Sequence, residues 1–298
     1  MAEKTTLSVY TVDAFTDTAF GGNPAAVCPV VYDNGLSDDI LQKIGTEMNL
    51  SETAFVRQLS TPGSFSEGSV FGLRWFTPVA EIKLCGHATL ASAAILFNKL
   101  GNTSEELTFK TLSGDLKARR EGDGIMMDFP TGLTEKRSLE DYSDLIQAFD
   151  TLPPVEEISY CSSLKYLLIR IKDGFTRSEF EKWLPSVDHL QKIQTPDPVL
   201  LIIVTATGNN SQGFVSSGGE KYDFVSRSFA PSLGVAEDPV TGSAHTVLAH
   251  YWSQVLNKQD FYVRQCSPRG GDVRVRLRGD RVELVGKSVI LMEGTLKF

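Results

Sequence analysis

The sequence predicts an α+β chain built from two similar domains, and three observations lead there. Short strand-like and helix-like segments alternate along the whole length with no low-complexity stretch. Two motifs in the first half are echoed in order in the second. One helix in each half opens on a glycine, and the first is so rich in alanine that its neighbours can crowd it from every side. At 298 residues and 41% apolar the chain can bury a large core, which excludes a disordered or collagen-like protein.

The elements follow in order. Residues 7–15 alternate as a strand, and Gly21-Gly22-Asn23-Pro24 turns the chain into a second strand, 25–31. A helix starts after Ser37, a good N-cap, with Asp38 and Asp39 where the helix dipole favours acids. Its inward stripe is Ile40, Leu41, Ile44 and Met48. Strands are expected at 53–57 and 73–77, then a helix over 86–100 carrying Ala88, Ala91, Ala93 and Ala94. Further strands fall at 107–111, 116–119 and 125–129. The polar, aperiodic stretch 130–138 is the expected boundary. The second half reads as a helix over 139–149, strands at 166–171 and 199–205, a loop over 208–219 and a helix over 242–256. A hairpin then joins 273–278 to 281–285 through Gly279-Asp280. Arg278-Gly279-Asp280 is turn chemistry, and Arg274, Arg276 and Arg278 form one solvated face.

With 37 acidic and 29 basic residues the net charge is −8, which argues against nucleic acid and anionic membranes as partners. Cys28, Cys85, Cys161 and Cys266 form no CxxC pair, so no metal ligands are read, and lone thiols fit a reducing compartment. Met1-Ala2-Glu3-Lys4-Thr5 lacks the apolar core of a signal peptide. The longest aliphatic run, 199–204, is far short of the roughly 20 residues that span a bilayer. A soluble, cytoplasmic protein is expected.

Arg74-Trp75-Phe76-Thr77-Pro78 returns as Arg227-Ser228-Phe229-Ala230-Pro231, 153 positions later, and Gly86-His87-Ala88 as Gly242-Ser243-Ala244, 156 later. A helix N-terminus leaves backbone N–H groups unpaired and carries partial positive charge. A glycine there lets a ligand approach, so two such tips can hold a carboxylate without lysine or arginine. His87 sits in a helix's first turn, where the dipole is expected to keep its ring neutral. Asp238 lies just before the second tip. Of the other histidines, His189 is read as solvated, and His245 and His250 as core or surface residues. Glu52, between the first helix and a strand, has little pattern-based claim of its own.

Four segments occur in this order: Gly22-Asn23-Pro24-Ala25-Ala26-Val27, Ser51-Glu52-Thr53-Ala54-Phe55, Cys85-Gly86-His87-Ala88-Thr89 and Asp238-Pro239-Val240-Thr241-Gly242-Ser243-Ala244-His245. Together they resemble the PhzF family of phenazine-biosynthesis-like isomerases, and the resemblance spans essentially the whole chain. It implies a fold like that of diaminopimelate epimerase, with two pseudo-symmetric lobes, each an antiparallel, barrel-like sheet around a central helix. The lobes would be residues 1–130 plus about 287–298, and 131–286, with the active site in the cleft between them. It further implies a homodimer that needs no cofactor and acts on a small carboxylic acid. By the same resemblance Glu52 is the catalytic acid/base, with His87 and Asp238 as its partners. Gly86, Gly242 and Ser243 would bind the carboxylate. The expected reaction is an isomerisation that moves a proton. Related two-thiol racemases carry a cysteine before each glycine, whereas here Cys85 precedes Gly86 and Thr241 precedes Gly242. That pattern makes a dehydratase or lyase using Cys85 and Glu52 the alternative, beside a non-catalytic binding protein on the same scaffold.

Overall fold

In the computed structural model, which describes residues 5–31, 36–59, 63–149 and 153–298, the chain divides into two units. One is Met1–Asp128 with Val285–Phe298; the other is Phe129–Leu284.

The first unit carries β1 (Thr6–Ala14), β2 (Asn23–Val30), β3 (Glu52–Gln58), β4 (Val70–Phe76), β5 (Glu81–Ile82), β6 (Glu106–Thr111), β7 (Gly114–Glu121), β8 (Gly124–Pro130) and the C-terminal strand Ser288–Lys297. The C-terminal strand pairs antiparallel with β1, and β1 with β2. The next step, β2 to β3, is parallel, with Ala25 opposite Glu52. β3 pairs antiparallel with β4, and β4 runs parallel to β6 before β6–β7 and β7–β8 close the order antiparallel. The sheet is therefore mixed rather than purely antiparallel. Parallel neighbours need a crossover, and α1 (Asp38–Met48) and α2 (Gly86–Ala94) provide the two.

Ser37 caps α1 by accepting from the Ile40 amide, and Leu41, Ile44 and Gly45 turn inward. All nine residues of α2 are buried. It packs on β1, β2, β3, β7 and the C-terminal strand. A barrel-like sheet thus wraps around it, and only residues as small as Ala88, Ala91, Ala93 and Ala94 let strands approach on every side. The helix expected to reach residue 100 stops short as an α-helix. Ile95–Lys99 continues as a π-type turn, closed by the Leu100 amide on the Ile95 carbonyl.

The second unit carries β9 (Glu135–Arg137), β10 (Val155–Cys161), β11 (Tyr166–Ile171), β12 (Leu201–Thr207), β13 (Phe224–Ala230), β14 (Val235–Asp238), β15 (Asp260–Gln265), β16 (Gly271–Arg278) and β17 (Arg281–Gly286). Its pairings repeat those of the first: β10–β11 antiparallel, β11–β12 parallel, β12–β13 antiparallel, β13–β15 parallel and β15–β16 antiparallel. β9 pairs with β10 as the C-terminal strand pairs with β1, so the polar stretch 130–138 contains a strand. The helix expected over 139–149 splits into a 3-10 turn, Glu140–Tyr142, and α3 (Ser143–Ala148). Two short helices, α4 (Arg177–Lys182) and α5 (Val187–Leu190), lie in the first parallel crossover, and α6 (Gly242–Leu256) in the second. An aromatic-rich core holding Tyr142, Phe149, Phe180, Trp183, Phe214 and Phe229 fills this unit. Arg274, Arg276 and Arg278 are ion-paired with Glu220, Glu283 and Asp260.

The echo between the halves extends to an ion pair. Arg74 on β4 donates from Nε and Nη2 to Glu81 on β5 at 2.7 and 2.8 Å. Arg227 on β13 does the same to Glu237 on β14, at 2.7 Å for both bonds. The extra length of the second copy falls around the 3-10 turn Pro231–Leu233 that leads into β14. Among the described residues no helix is long and apolar enough to cross a membrane.

Candidate active site

Parallel pairing of β2 and β3 puts the starts of both strands at one end of the first unit. Asn23 opens β2 and Glu52 opens β3. Gly22, at φ +61°, makes the turn before Asn23; a Cβ there would lie 2.1 Å from the Ala14 carbonyl oxygen, so no other residue fits. The N-terminus of α2 arrives at the same end, with Cys85 as an extended N-cap, then Gly86 and His87. No side chain caps that turn.

There His87 Nε2 lies 2.9 Å from Glu52 Oε2, with the two side chains only 6% and 14% exposed. The contact is close but poorly aligned, so neither buried atom has a hydrogen-bond partner. On the other side of the ring, Nδ1 faces Cys85 Sγ at 3.4 Å and the Asn23 amide nitrogen at 3.1 Å. Burial works against a charged imidazole, but the Cys85 sulfur, as a hydrogen-bond acceptor for Nδ1, and the full charge of the Glu52 carboxylate outweigh it and raise the His87 pKa well above 6.5. Cys85 itself is pushed up to about 11, first by burial and then by the Glu52 charge, so near neutral pH it is a thiol. That direction runs against the expectation of a neutral His87. A helix N-terminus gives a fractional positive charge, whereas Glu52 brings a whole negative one into contact. With the ring charged, the Asn23 amide would turn its oxygen toward Nδ1, an orientation set by the proton.

In the second unit Asp238 ends β14, and Gly242 and Ser243 open α6, which also begins without a side-chain cap. Thr241 Oγ1 donates to Asp238 Oδ2 at 2.5 Å. Gln265, fully buried on β15, clamps this loop. Its Oε1 accepts from the Thr241 amide at 2.8 Å, and its Nε2 donates to the Asp238 carbonyl at 2.6 Å. Ser243 Oγ and the Tyr166 hydroxyl are 2.9 Å apart. The structure therefore groups Glu52, Gly86 and His87 at one tip and Asp238, Gly242 and Ser243 at the other. Sequence reading missed Gln265, which is 24 positions from Thr241, and Tyr166; neither lies in a motif. Asn23 was in view as a turn residue and within a family segment, with no site role given to it.

The model of the phenazine biosynthesis-like protein family matches residues 12–294. The chain belongs to this family. Phenazine biosynthesis-like domain-containing protein 1 of Mus musculus is 50% identical over 97% of this chain and 99% of its own length. An uncharacterized isomerase of Pseudomonas aeruginosa is 41% identical over 97% and 98%. The crystal structure of a PhzF family protein from Enterococcus faecalis superposes with a TM-score of 0.82 at 35% identity, covering 98% and 99% of the two chains. A hydroxyproline epimerase from Agrobacterium vitis, at 9% identity and a TM-score of 0.53, shares the fold.

In this phenazine biosynthesis-like protein the remaining histidines differ in setting. His189 is exposed on α5, and His250 accepts from the Thr134 amide at 3.2 Å. His245 is fully buried; its Nδ1 must carry the proton, because it donates to the Thr241 carbonyl at 2.8 Å. Burial lowers its pKa from 6.5 to about 4. As pH falls the unfolded chain takes up this proton before the folded one does, so the contribution of His245 is complete above 6.5 and is lost between 6.5 and 4. That contribution is on the order of 3 kcal/mol. His87 has the opposite sign: raised in the folded state, its contribution is present below 6.5 and disappears as pH climbs through the elevated value. We expect His245→Asn to flatten the acid side of a plot of urea midpoint against pH. An unchanged slope overturns the assignment.

Proposed function

We propose that this protein is an isomerase that moves a proton on a small carboxylic acid, using groups of its own chain. The observation that carries this reading is the buried contact of 2.9 Å between Glu52 and His87 at the uncapped start of α2. A carbon acid next to a carboxylate is weak, so a base must be held against the C–H where water is scarce. Glu52 takes the proton from one carbon and returns it to another. His87, charged and beside it, offsets the negative charge that develops in the substrate. The Gly86 amide at the uncapped start of α2 holds the substrate carboxylate, and in the second unit Gly242, Ser243 and Asp238 form a tip of the same kind. The isomerase name of the Pseudomonas aeruginosa relative, 41% identical, supports the reaction type.

Cys85 gives the lyase alternative some footing, since its sulfur stands 3.4 Å from His87 Nδ1. A thiol held at about 11 is a poor base, however, and Thr241 spends its hydroxyl proton on Asp238. The isomerase reading is therefore favoured. The test is to incubate the protein with a panel of small carboxylic acids in heavy water and follow the C–H signals by NMR. One position should exchange with deuterium in wild type and not in Glu52→Gln.

A further inference from the structure

We propose that Glu52, Cys85 and His87 also form a binding site for Zn2+, and that the ion there inhibits the protein. A carboxylate oxygen, a thiol sulfur and an imidazole nitrogen, one from each residue, lie within 4.8 Å of one another. Sulfur with nitrogen and oxygen suits zinc and like cations, and does not suit Mg2+ or Ca2+, which take oxygen.

The atoms that form the ion pair also stand where an ion could replace it. Glu52 Oε2 and His87 Nε2 are both buried, 2.9 Å apart and without hydrogen-bond partners. Zinc binds nitrogen and oxygen at about 2.0–2.2 Å, which sets two such donors about 3.4 Å apart in tetrahedral geometry. The pair therefore has about half an ångström to open, and one ion would satisfy both atoms. Cys85 Sγ supplies the third donor of the cluster. Asn23, facing the other ring nitrogen at 3.1 Å, fixes the ring plane as outer partners of metal-bound histidines do. Binding replaces the thiol proton and the imidazole proton, both released to solvent, and the α2 N-terminus favours the thiolate left behind. Three protein donors leave a fourth position for water, the pattern of an exchangeable rather than a structural site. Inhibition rests on the reading of Glu52 as the proton carrier; binding does not.

Cobalt reports the site directly. Titrating the chelator-treated full chain with Co2+ should give a near-ultraviolet thiolate-to-cobalt charge-transfer band that saturates at one equivalent and is erased by Zn2+. Cys85→Ser should abolish the band and weaken binding on the order of a hundredfold. Glu52→Gln should weaken binding similarly while keeping the band, and Cys161→Ser should change neither. Thermal melts of each variant confirm that it is folded, and the Glu52→Gln result decides if Cys85→Ser is not. No band in wild type, or a band that survives in Cys85→Ser, overturns the site. One equivalent of zinc should also stop deuterium exchange, with recovery on adding chelator. If cobalt binds as described but zinc leaves exchange running, the inhibitory role fails and the binding site stands. If wild type and Glu52→Gln exchange alike without metal, it is the proton-carrier reading that has failed.

Discussion

Glu52→Gln should slow solvent exchange into a carboxylic acid substrate by about two to four orders of magnitude, the range that one positioned acid/base group contributes. Glutamine keeps the shape of the side chain and its place at the start of β3, but it cannot carry the transferred proton. The same change removes the negative charge beside His87, so the ring should titrate at lower pH in the variant than in wild type, which NMR of the imidazole protons would show. The two readouts separate chemistry from folding. A variant that has merely lost structure loses the His87 shift together with its melting transition. A variant that exchanges as fast as wild type while its His87 titration moves leaves Glu52 as a charge partner and nothing more.

The second large effect is on stability, and it is asymmetric between the duplicated ion pairs. Arg227 is 0% exposed, whereas Arg74 is 33% exposed. Besides Glu237, Arg227 donates from Nη1 to the carbonyls of Phe180 and Trp183, and its guanidinium lies over the rings of Trp183 and Phe229. Arg227→Ala would strand the Glu237 carboxylate and two carbonyls in a dry setting, a cost of about 3–5 kcal/mol. Arg74→Ala breaks an equally well-aligned pair that water can replace, and should cost about 1 kcal/mol or less. Urea denaturation of the two variants side by side is the measurement. Equal losses would mean that the buried copy is no more important to the fold than the solvated one.

Much of the fold was legible because it is written locally. The Ser37 cap, the 3.6-residue stripe of α1, the small residues of α2 and the glycine that opens α6 each act within a turn or two of themselves. The echo between halves carried more, because it joined two weak local signals into one architecture. The parallel steps were less visible, since a strand does not encode its neighbour's direction. His87 shows the limit most sharply. Its position at a helix tip was readable, but Glu52, 35 positions earlier, comes to 2.9 Å of it only once β2, β3 and α2 pack together. Gln265 lay beyond reach for the same reason: a buried amide whose partners come from another element has no periodic signature.

Seating Asn23 and Glu52 on the first residues of adjacent strands ties their chemistry to the pleat. Side chains alternate faces along a strand, so a slip of β3 by one residue against β2 would aim Glu52 away from His87 and put a threonine in its place. Changes in connecting segments leave that alignment alone. Descendants of this scaffold can therefore remodel their loops freely, while any shift inside the paired strands breaks the Glu52–His87 contact outright.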